Sequence, residues 1–433
     1  MSAPEYEVAV VGAGAAGLVA AARAAERGLG VVLLEKNRRP GVKILMSGGT
    51  RCNITNARGL NNLQAVSGSI DAGFDQNQAR GMNRILDAFG PRGGFLRSAL
   101  RAFSVDDVVR MFEAEGVATK IEGNGKIFPA SDRAVDVLAA LQTRLERSGA
   151  ELRTNAPVIS VERLEASGFR VRTSEGFVDA RRVILALGGQ SYPGCGTRGD
   201  GYEIARGFGH TIVSPRPALV PLRVDVEWVT ALKGITIPDA VARVRDESGR
   251  VVASRREAVL FAHFGLTGPA ILDISRAVAR CERPQSLKLE LDFEPDTALD
   301  ALDARISEAA RKSPGAAIHC VSELLPRRVA EALFAQAGIP QSRRGAELSR
   351  EERRRLVAAL KGTRIAVAGH LGFEKAEVTS GGVSLDEVNP KTLESLRQPG
   401  LFLCGEVLDL DGLIGGYNFQ AAWSTGWLAG SVV

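Results

Sequence analysis

The chain has 433 residues, 45% of them hydrophobic and 24% charged, which excludes a disordered polymer and provides core material for two or three domains. No run of about 18 apolar residues occurs, so no membrane-spanning helix is expected, and an acidic N-terminus leading straight into a strand shows no signal peptide. The net charge is +5, with a sequence pI near 9.0; this permits a polyanionic partner without requiring one, and the excess of Arg also fits a codon-composition bias.

The first element is a buried strand, Val8 to Val11. A glycine turn follows, Gly12-Ala13-Gly14-Ala15-Ala16-Gly17, then an Ala-rich helix from Leu18 to Arg27, a second apolar strand from Val31 to Leu34, and Glu35 at its tip. Each part has a physical duty in holding an adenine dinucleotide. Gly12 permits the tight turn. Gly14 lets backbone approach a pyrophosphate at the positive end of the helix. Gly17 lets helix and strand pack closely, and Glu35 accepts hydrogen bonds from a ribose. The alternative is a glycine-rich turn in an unrelated α/β protein. A polar, glycine-rich loop then runs from Arg39 to Asn56 and carries Lys43, Ser47, Gly48, Gly49, Arg51, Cys52 and Asn53.

Residues 82–116 show helical spacing, for example Ile85, Leu86 and Phe89, then Val108, Val109 and Phe112. Asp132 to Arg147 reads as an amphipathic helix capped by Ser131. Three β segments follow at 157–164, 168–173 and 176–179, and a buried strand at 183–187 ends in Gly188-Gly189. Gly194-Cys195-Gly196-Thr-Arg-Gly199 repeats the GxGxxG spacing. It lies seven residues beyond a strand end with no acid-tipped strand following closely, so it reads as a loop near a flavin or substrate, with a second nucleotide unit as the alternative. Residues 212–293 read as short strands with Pro and Gly turns, a barrel or sandwich. Residues 296–361 turn helical and polar, and 363–368 returns as a strand. Gly400 to Glu406 is a strand ending in Gly405 and an acid, and a helix begins near Gly415-Gly416-Tyr417-Asn418. The expected division is therefore a discontinuous dinucleotide domain at 1–194 and 376–433, a β-rich middle domain at 195–295 and 362–375, and a helical insert at 296–361. Five scattered cysteines without a CxxC pair and four histidines without metal spacing point to reduced thiols, a cytoplasmic location and no metal site.

Only one complete dinucleotide unit is present. The tail favours FAD over NAD: a strand ending Gly405-Glu406, ahead of a glycine-started helix, is suited to hold ribityl or pyrophosphate oxygens and to face the flavin pyrimidine edge. An ordinary closing strand and helix is the other reading.

Several segments together resemble the BaiN/RdsA-like flavoproteins. They are Ser47-Gly-Gly-Thr-Arg-Cys-Asn-Ile-Thr-Asn56, Gly125-Lys-Ile-Phe-Pro129, Gly188-Gly-Gln-Ser-Tyr-Pro193, Gly199-Asp-Gly-Tyr202, His263-Phe-Gly-Leu-Thr-Gly-Pro269, Thr379-Ser-Gly-Gly-Val383, Gly405-Glu-Val-Leu-Asp-Leu-Asp-Gly412 and Gly415-Gly-Tyr-Asn-Phe-Gln420. The resemblance implies a two-dinucleotide-binding (glutathione-reductase-like) FAD domain of α/β class, an inserted β-barrel-like domain and a helical subdomain. It implies tightly bound FAD reduced by NAD(P)H. Two activities are implied: saturation of conjugated C=C bonds in steroid-type (bile-acid) enones, and reduction of a uridine of large-subunit ribosomal RNA to dihydrouridine. The chain departs from the family pattern at Thr50, where glycine is usual, at Leu187, and at Cys195-Gly-Thr-Arg198; these leave the substrate in question more than the flavin.

Both activities are one reaction. Hydride adds to the β carbon of a carbonyl-conjugated bond, and the resulting enolate takes a proton at the α carbon. Cys52, beside Arg51, is one candidate proton donor, with packing under the flavin as its alternative; His263 is the second, with a structural role as its alternative. The candidate cofactor-binding set comprises Gly12, Gly14, Ala15, Ala16, Gly17, Glu35, Lys36, Lys43, Ser47, Gly48, Gly49, Arg51, Cys52, Asn53, Val158, Gly188, Gly189, Gly405, Glu406, Gly415, Gly416, Tyr417, Asn418 and Gln420. Within it, Arg51 and Asn53 are expected at FAD phosphate or ring edges. Tyr192 and Tyr417 either flank the flavin or pack in the core. The Arg-rich stretch 343–355 either tracks RNA phosphates or forms a solvated helix with Glu–Arg pairs. The functional readings are an rRNA uridine reductase, a small-molecule enone reductase, and a non-enzymatic flavin-binding redox or ribosome-associated protein.

Overall fold

The computed structural model describes residues 4–71, 81–165, 167–312 and 315–433. They form two compact units, Met1–Arg216 with Glu377–Val433, and Pro217–Ala376.

In the first unit, Val8–Val11 and Val31–Leu34 are buried throughout, as strands covered on both faces must be. Tyr6–Val11 pairs in parallel with Val31–Leu34 on one side and Gly176–Leu185 on the other, and Val31–Leu34 pairs in parallel with Glu151–Arg153. The segments expected as separate strands at 176–179 and 183–187 are one strand, Gly176–Leu185. Its first half carries an antiparallel meander with Phe169–Thr173 and Val158–Arg163, and its last three residues pair in parallel with Leu401–Leu403. The helices Ala15–Ala25 and Tyr417–Val432 cross at glycines: a Cβ on Gly426 would fall 2.3 Å from the Ala16 carbonyl oxygen, and one on Gly430 2.4 Å from that of Ala20.

The stretch 82–116 is helical but broken into Met82–Asp87, a 3-10 segment Gly90–Leu96, Arg97–Ala102 and Val105–Ala114. Ser131 does not cap the next helix, which runs Ala134–Ser148. Its hydroxyl donates to Asp136 instead, and the Ala134 N–H donates to the Thr50 carbonyl at 3.0 Å. The cap comes from the glycine-rich loop, far away in sequence. The expected domain boundary at 194 falls inside this unit, because Gly199 N–H donates to Gly189 O (3.0 Å) and Asp200 pairs with Lys36.

The second unit is built on a seven-stranded antiparallel sheet. Its order is Thr363–Ala366, Lys288–Asp292, Thr236–Arg245, Val251–Ala262, Gly265–Thr267, Leu222–Arg223 and Gly369–His370. The order has two ends, and among the described residues no pairing closes it, so it is an open sheet. Long strands and the helix Pro269–Arg280 stand where short strands are expected. The helices Leu299–Lys312, Arg327–Gln336 and Arg350–Gly362 share one core with this sheet: Leu302, Ile306, Leu333, Leu356 and Leu360 pack with Ala242, Val244, Leu289, Leu291 and Ile365. The helical segment is therefore part of the same packed unit.

Candidate functional site

The glycine turn has the geometry its sequence asks for. Gly12 sits at φ 101°, and a Cβ there would meet the Ala186 carbonyl oxygen at 2.7 Å. A Cβ on Gly17 would fall 1.8 Å from the Gly12 oxygen, so the helix lies against the turn backbone. Gly14 has no heavy atom within 4 Å of its Cβ direction, which leaves open the one place where a pyrophosphate would approach. Glu35 is buried; its Oε2 accepts from Ala13 N–H (2.9 Å) and its Oε1 from Asn37 N–H (2.8 Å). An ionised carboxylate offers about four acceptor positions, so ribose hydroxyls can still be received. Val158 stands two residues beyond Ala156, whose N–H donates to Glu35 O at 2.9 Å. Lys36 is occupied by Asp200.

The repeated GxGxxG at 194–199 packs beside the same strand tip. Asn37 Nδ2 donates to Cys195 O at 3.2 Å, and a Cβ on Gly196 would collide with the Asn37 amide at 2.7 Å.

A second glycine-started helix, Tyr417–Val432, begins at Gly416 (φ 93°), and a Cβ there would meet the Thr55 carbonyl oxygen at 2.5 Å. The loop expected to face the cofactor secures this helix start. The Asn53 amide donates to Thr55 O (2.9 Å) and Ile127 O (3.3 Å) and accepts from Gly416 N–H (2.9 Å). Asn56 Nδ2 donates to Gly415 O at 2.9 Å, and Thr55 Oγ1 donates to Gln420 Oε1 at 2.6 Å. Gln420 is fully buried and also donates to Ser424 Oγ at 2.9 Å. Asn418 turns back to the backbone of Gly412 and Leu413. Tyr417 is buried in the core, whereas Tyr192 is half-buried at φ 57°. Asn53, Tyr417, Asn418 and Gln420 thus build the helix start.

Arg51 is likewise held by protein. Its guanidinium pairs with Glu122 and Asp132 and lies over the Phe128 ring, 3.9 Å from its centroid. Contacts to Lys120 and then Arg51 keep the Asp132 carboxyl below its ordinary range. The surrounding loop is left-handed at Gly48, Gly49, Thr50 and Cys52. Cys52 is fully buried among core side chains, and burial pushes its thiol up to about 12. A sealed, neutral thiol fits the packing alternative better than proton donation. His263 belongs to the second unit, exposed on the turn between Val251–Ala262 and Gly265–Thr267 with its ring edge-on to Phe264.

A polar cluster in the first unit joins four segments. Lys43 Nζ donates to Ser191 Oγ (2.6 Å) and to Glu406 Oε2 (2.7 Å); Glu406 Oε1 accepts from Ser191 Oγ (2.9 Å) and Thr379 N–H (2.7 Å). Thr379 Oγ1 in turn accepts from the N–H groups of Gln190 (2.8 Å) and Ser191 (3.0 Å). Gly189 is required here, since its Cβ would lie 2.4 Å from Thr379 Oγ1. Gly405 (φ 74°) brings Glu406 over the first helix, its Cβ direction meeting Ala16 Cβ at 2.8 Å. Lys43, Gly189, Gly405 and Glu406 are thus brought together. Nothing local in the sequence signals this role for Ser191 and Thr379, although both lie in glycine-bearing motifs of the resemblance.

These residues fit FAD. Both helices begin at glycine N-caps without a side-chain cap, and the positive end of a helix favours an anion. Glu35 and Glu406 lie just past the strands Val31–Leu34 and Leu401–Leu403, and carboxylates there are suited in chemistry to accept from sugar or ribityl hydroxyls.

A family model described as HI0933-like protein Rossmann domain matches residues 6–76 and 75–432, and the chain belongs to that family. A 3-dehydro-bile acid delta(4,6)-reductase of Clostridium scindens is 32% identical over 427 residues, covering 98% of each chain. A ribosomal RNA dihydrouridine synthase of Escherichia coli is 32% identical over 426 residues, 98% of this chain and 96% of that one. Among solved structures, the 3-ketosteroid-delta4-(5alpha)-dehydrogenase of Rhodococcus jostii RHA1 aligns with a TM-score of 0.55 at 15% identity, covering 100% of this chain and 98% of that one; this is a likeness of fold. The resemblance read from the motifs is borne out, and the chain is a member of an FAD-dependent oxidoreductase family with a Rossmann-type FAD-binding α/β fold. Among the described residues, no helix is long and apolar enough to cross a membrane.

Proposed function

We propose that this protein is a cytoplasmic FAD-dependent ene-reductase that uses NAD(P)H to saturate a carbonyl-conjugated C=C bond, its substrate a uridine of large-subunit ribosomal RNA. The observation that carries this reading is the end-to-end match to the E. coli ribosomal RNA dihydrouridine synthase. The bile-acid reductase is equally similar and supports a second reading, a small apolar enone. The net charge of +5 is compatible with a polyanionic substrate.

Bound flavin supplies the hydride equivalent. The chain's own residues hold and orient. The Gly12–Gly17 turn and the first helix receive the pyrophosphate, Glu35 the ribose, and the Lys43–Ser191–Glu406–Thr379 cluster ties their four segments together. Of the two candidate proton donors, His263 is the one exposed to exchange protons with water, and Cys52 packs. Replacing His263 with Asn is expected to slow substrate protonation while leaving FAD content unchanged.

The deciding experiment is nucleoside mass spectrometry of large-subunit ribosomal RNA from cells with and without the gene. Loss of dihydrouridine, restored by the wild-type gene, supports the rRNA reading. Unchanged dihydrouridine in a strain that makes it transfers the reading to an enone, whose binding should be insensitive to salt where RNA binding falls steeply.

A further inference from the structure

The outer face of the second unit's sheet carries an excess of cations that its own carboxylates do not balance. The inner face, Ala242, Val244, Leu289, Leu291 and Ile365, is core. On the outer face, three guanidinium groups converge on one buried carboxylate: Arg245 reaches Glu290 at 2.6 Å, Arg243 at 3.3 Å and Arg364 at 3.5 Å. Asp292, also buried, is shared by Lys361 (3.0 Å) and Arg243 (3.7 Å). The ladder then sets Lys288, exposed, directly opposite Arg245. Like charges placed opposite each other across strands oppose folding, so the arrangement is costly for the isolated protein. Neighbouring acids do not supply the missing charge: Asp239 and Asp296 are both held by Arg256, and Asp246 and Glu247 by Arg250 and Arg283.

The Arg-rich helix offers less. Arg343 pairs with Glu352, Arg353 with Asp303, and Arg355 with Glu351, which is the solvated-helix alternative.

Resting on the rRNA reading above, we infer that the Arg243–Arg245–Lys288–Arg364 face is a docking surface for the phosphate backbone of RNA. The cations span three adjacent strands, from Thr236–Arg245 through Lys288–Asp292 to Thr363–Ala366. That breadth suits a chain of phosphates rather than a single small anion. Glu290 pre-positions the guanidinium groups, so little side-chain freedom is lost when phosphates arrive.

The test measures binding of the FAD-loaded protein to an in vitro transcript of bacterial large-subunit rRNA across a salt series. Lys288→Gln with Arg364→Gln removes two cations and keeps the Arg243–Arg245–Glu290 core. It is expected to weaken binding about fivefold to tenfold and to lower the slope of log affinity against log salt by roughly 1 to 2, since each phosphate contact contributes about 0.7–0.9. Ser254→Glu, an exposed change opposite Arg243 in the ladder, sets a carboxylate beside that guanidinium and, by neutralising part of the cationic face, should weaken binding in the same direction. The comparison is Arg350→Gln with Arg354→Gln on the Arg-rich helix, expected to leave affinity and slope near wild type. The inference is overturned if both sheet variants bind like wild type, or if the helix variant alone loses affinity; the rRNA reading would survive either result. A wild-type protein that shows no salt-dependent binding would refute both.

Discussion

Thr50 is a β-branched residue at φ 70°, in a loop where Gly48, Gly49 and Cys52 are also left-handed. A side chain with a Cβ pays about 1–2 kcal/mol for this region, more when β-branched. Thr50→Gly removes that strain and gives back about 0.5–1 kcal/mol through the freer unfolded glycine. The Thr50 hydroxyl bond to Gly49 O (2.6 Å) is exposed and contributes little. The carbonyl that caps Ala134 is backbone and survives the change. The net expectation is a gain of about 0.5–1 kcal/mol, which for a unit of this size raises Tm by roughly 1–3 °C. Calorimetry on the FAD-loaded protein reads it, with Thr50→Ala as control, because Ala sheds only the β-branch, keeps the Cβ and should gain less. A Thr50→Gly protein that melts at or below wild type, or an Ala variant that matches the Gly variant, would show that left-handed strain does not govern this loop.

Three further outcomes follow from the same geometry. Gly17→Ala places a Cβ 1.8 Å from the Gly12 oxygen, well inside the 3.0 Å that real Cβ atoms respect; it should cost about 1–3 kcal/mol and weaken FAD at least about tenfold by flavin-fluorescence titration, and normal affinity would refute the packing role. Cys52→Ala should keep full single-turnover reduction and lose only about 1 kcal/mol of stability; a large loss of turnover would restore the thiol as donor. Burial would raise the Glu387 carboxyl, but Arg397 and both the N–H and hydroxyl of Thr211 hold it at about 2. A depressed folded-state value stabilises above the ordinary glutamate range and is lost as pH falls from about 4.5 towards 2, up to roughly 3 kcal/mol; urea unfolding at pH 5 and pH 3 should show Glu387→Gln flattening that fall.

The dinucleotide turn was legible because its rules are local: Gly12, Gly14, Gly17 and Glu35 act within one strand–helix–strand unit, and backbone sterics alone dictate them. The flaws came from distance. Arg51 looked available to a phosphate because Glu122 and Asp132, which neutralise it, lie 70 and more residues on. Ser131 looked like a helix cap because nothing nearby announced that Thr50 would do that work. Ser191 and Thr379 acquire meaning only when Lys43 and Glu406 arrive beside them from opposite ends of the chain. The basic sheet face is hidden for the same reason, since Arg243, Glu290 and Arg364 read as unrelated charges until the ladder aligns them.

The strand Leu401–Leu403 and the helix Tyr417–Val432 complete a sheet and a helix pair begun at Tyr6 and Ala15. During synthesis the second unit, continuous in sequence, can close its core first, while the flavin unit waits with an open strand edge and an uncovered first helix. The first unit can therefore complete its sheet and helix pair only once Tyr417–Val432 has been made, so cofactor capture is expected as a late step of folding, after the second unit's continuous segment.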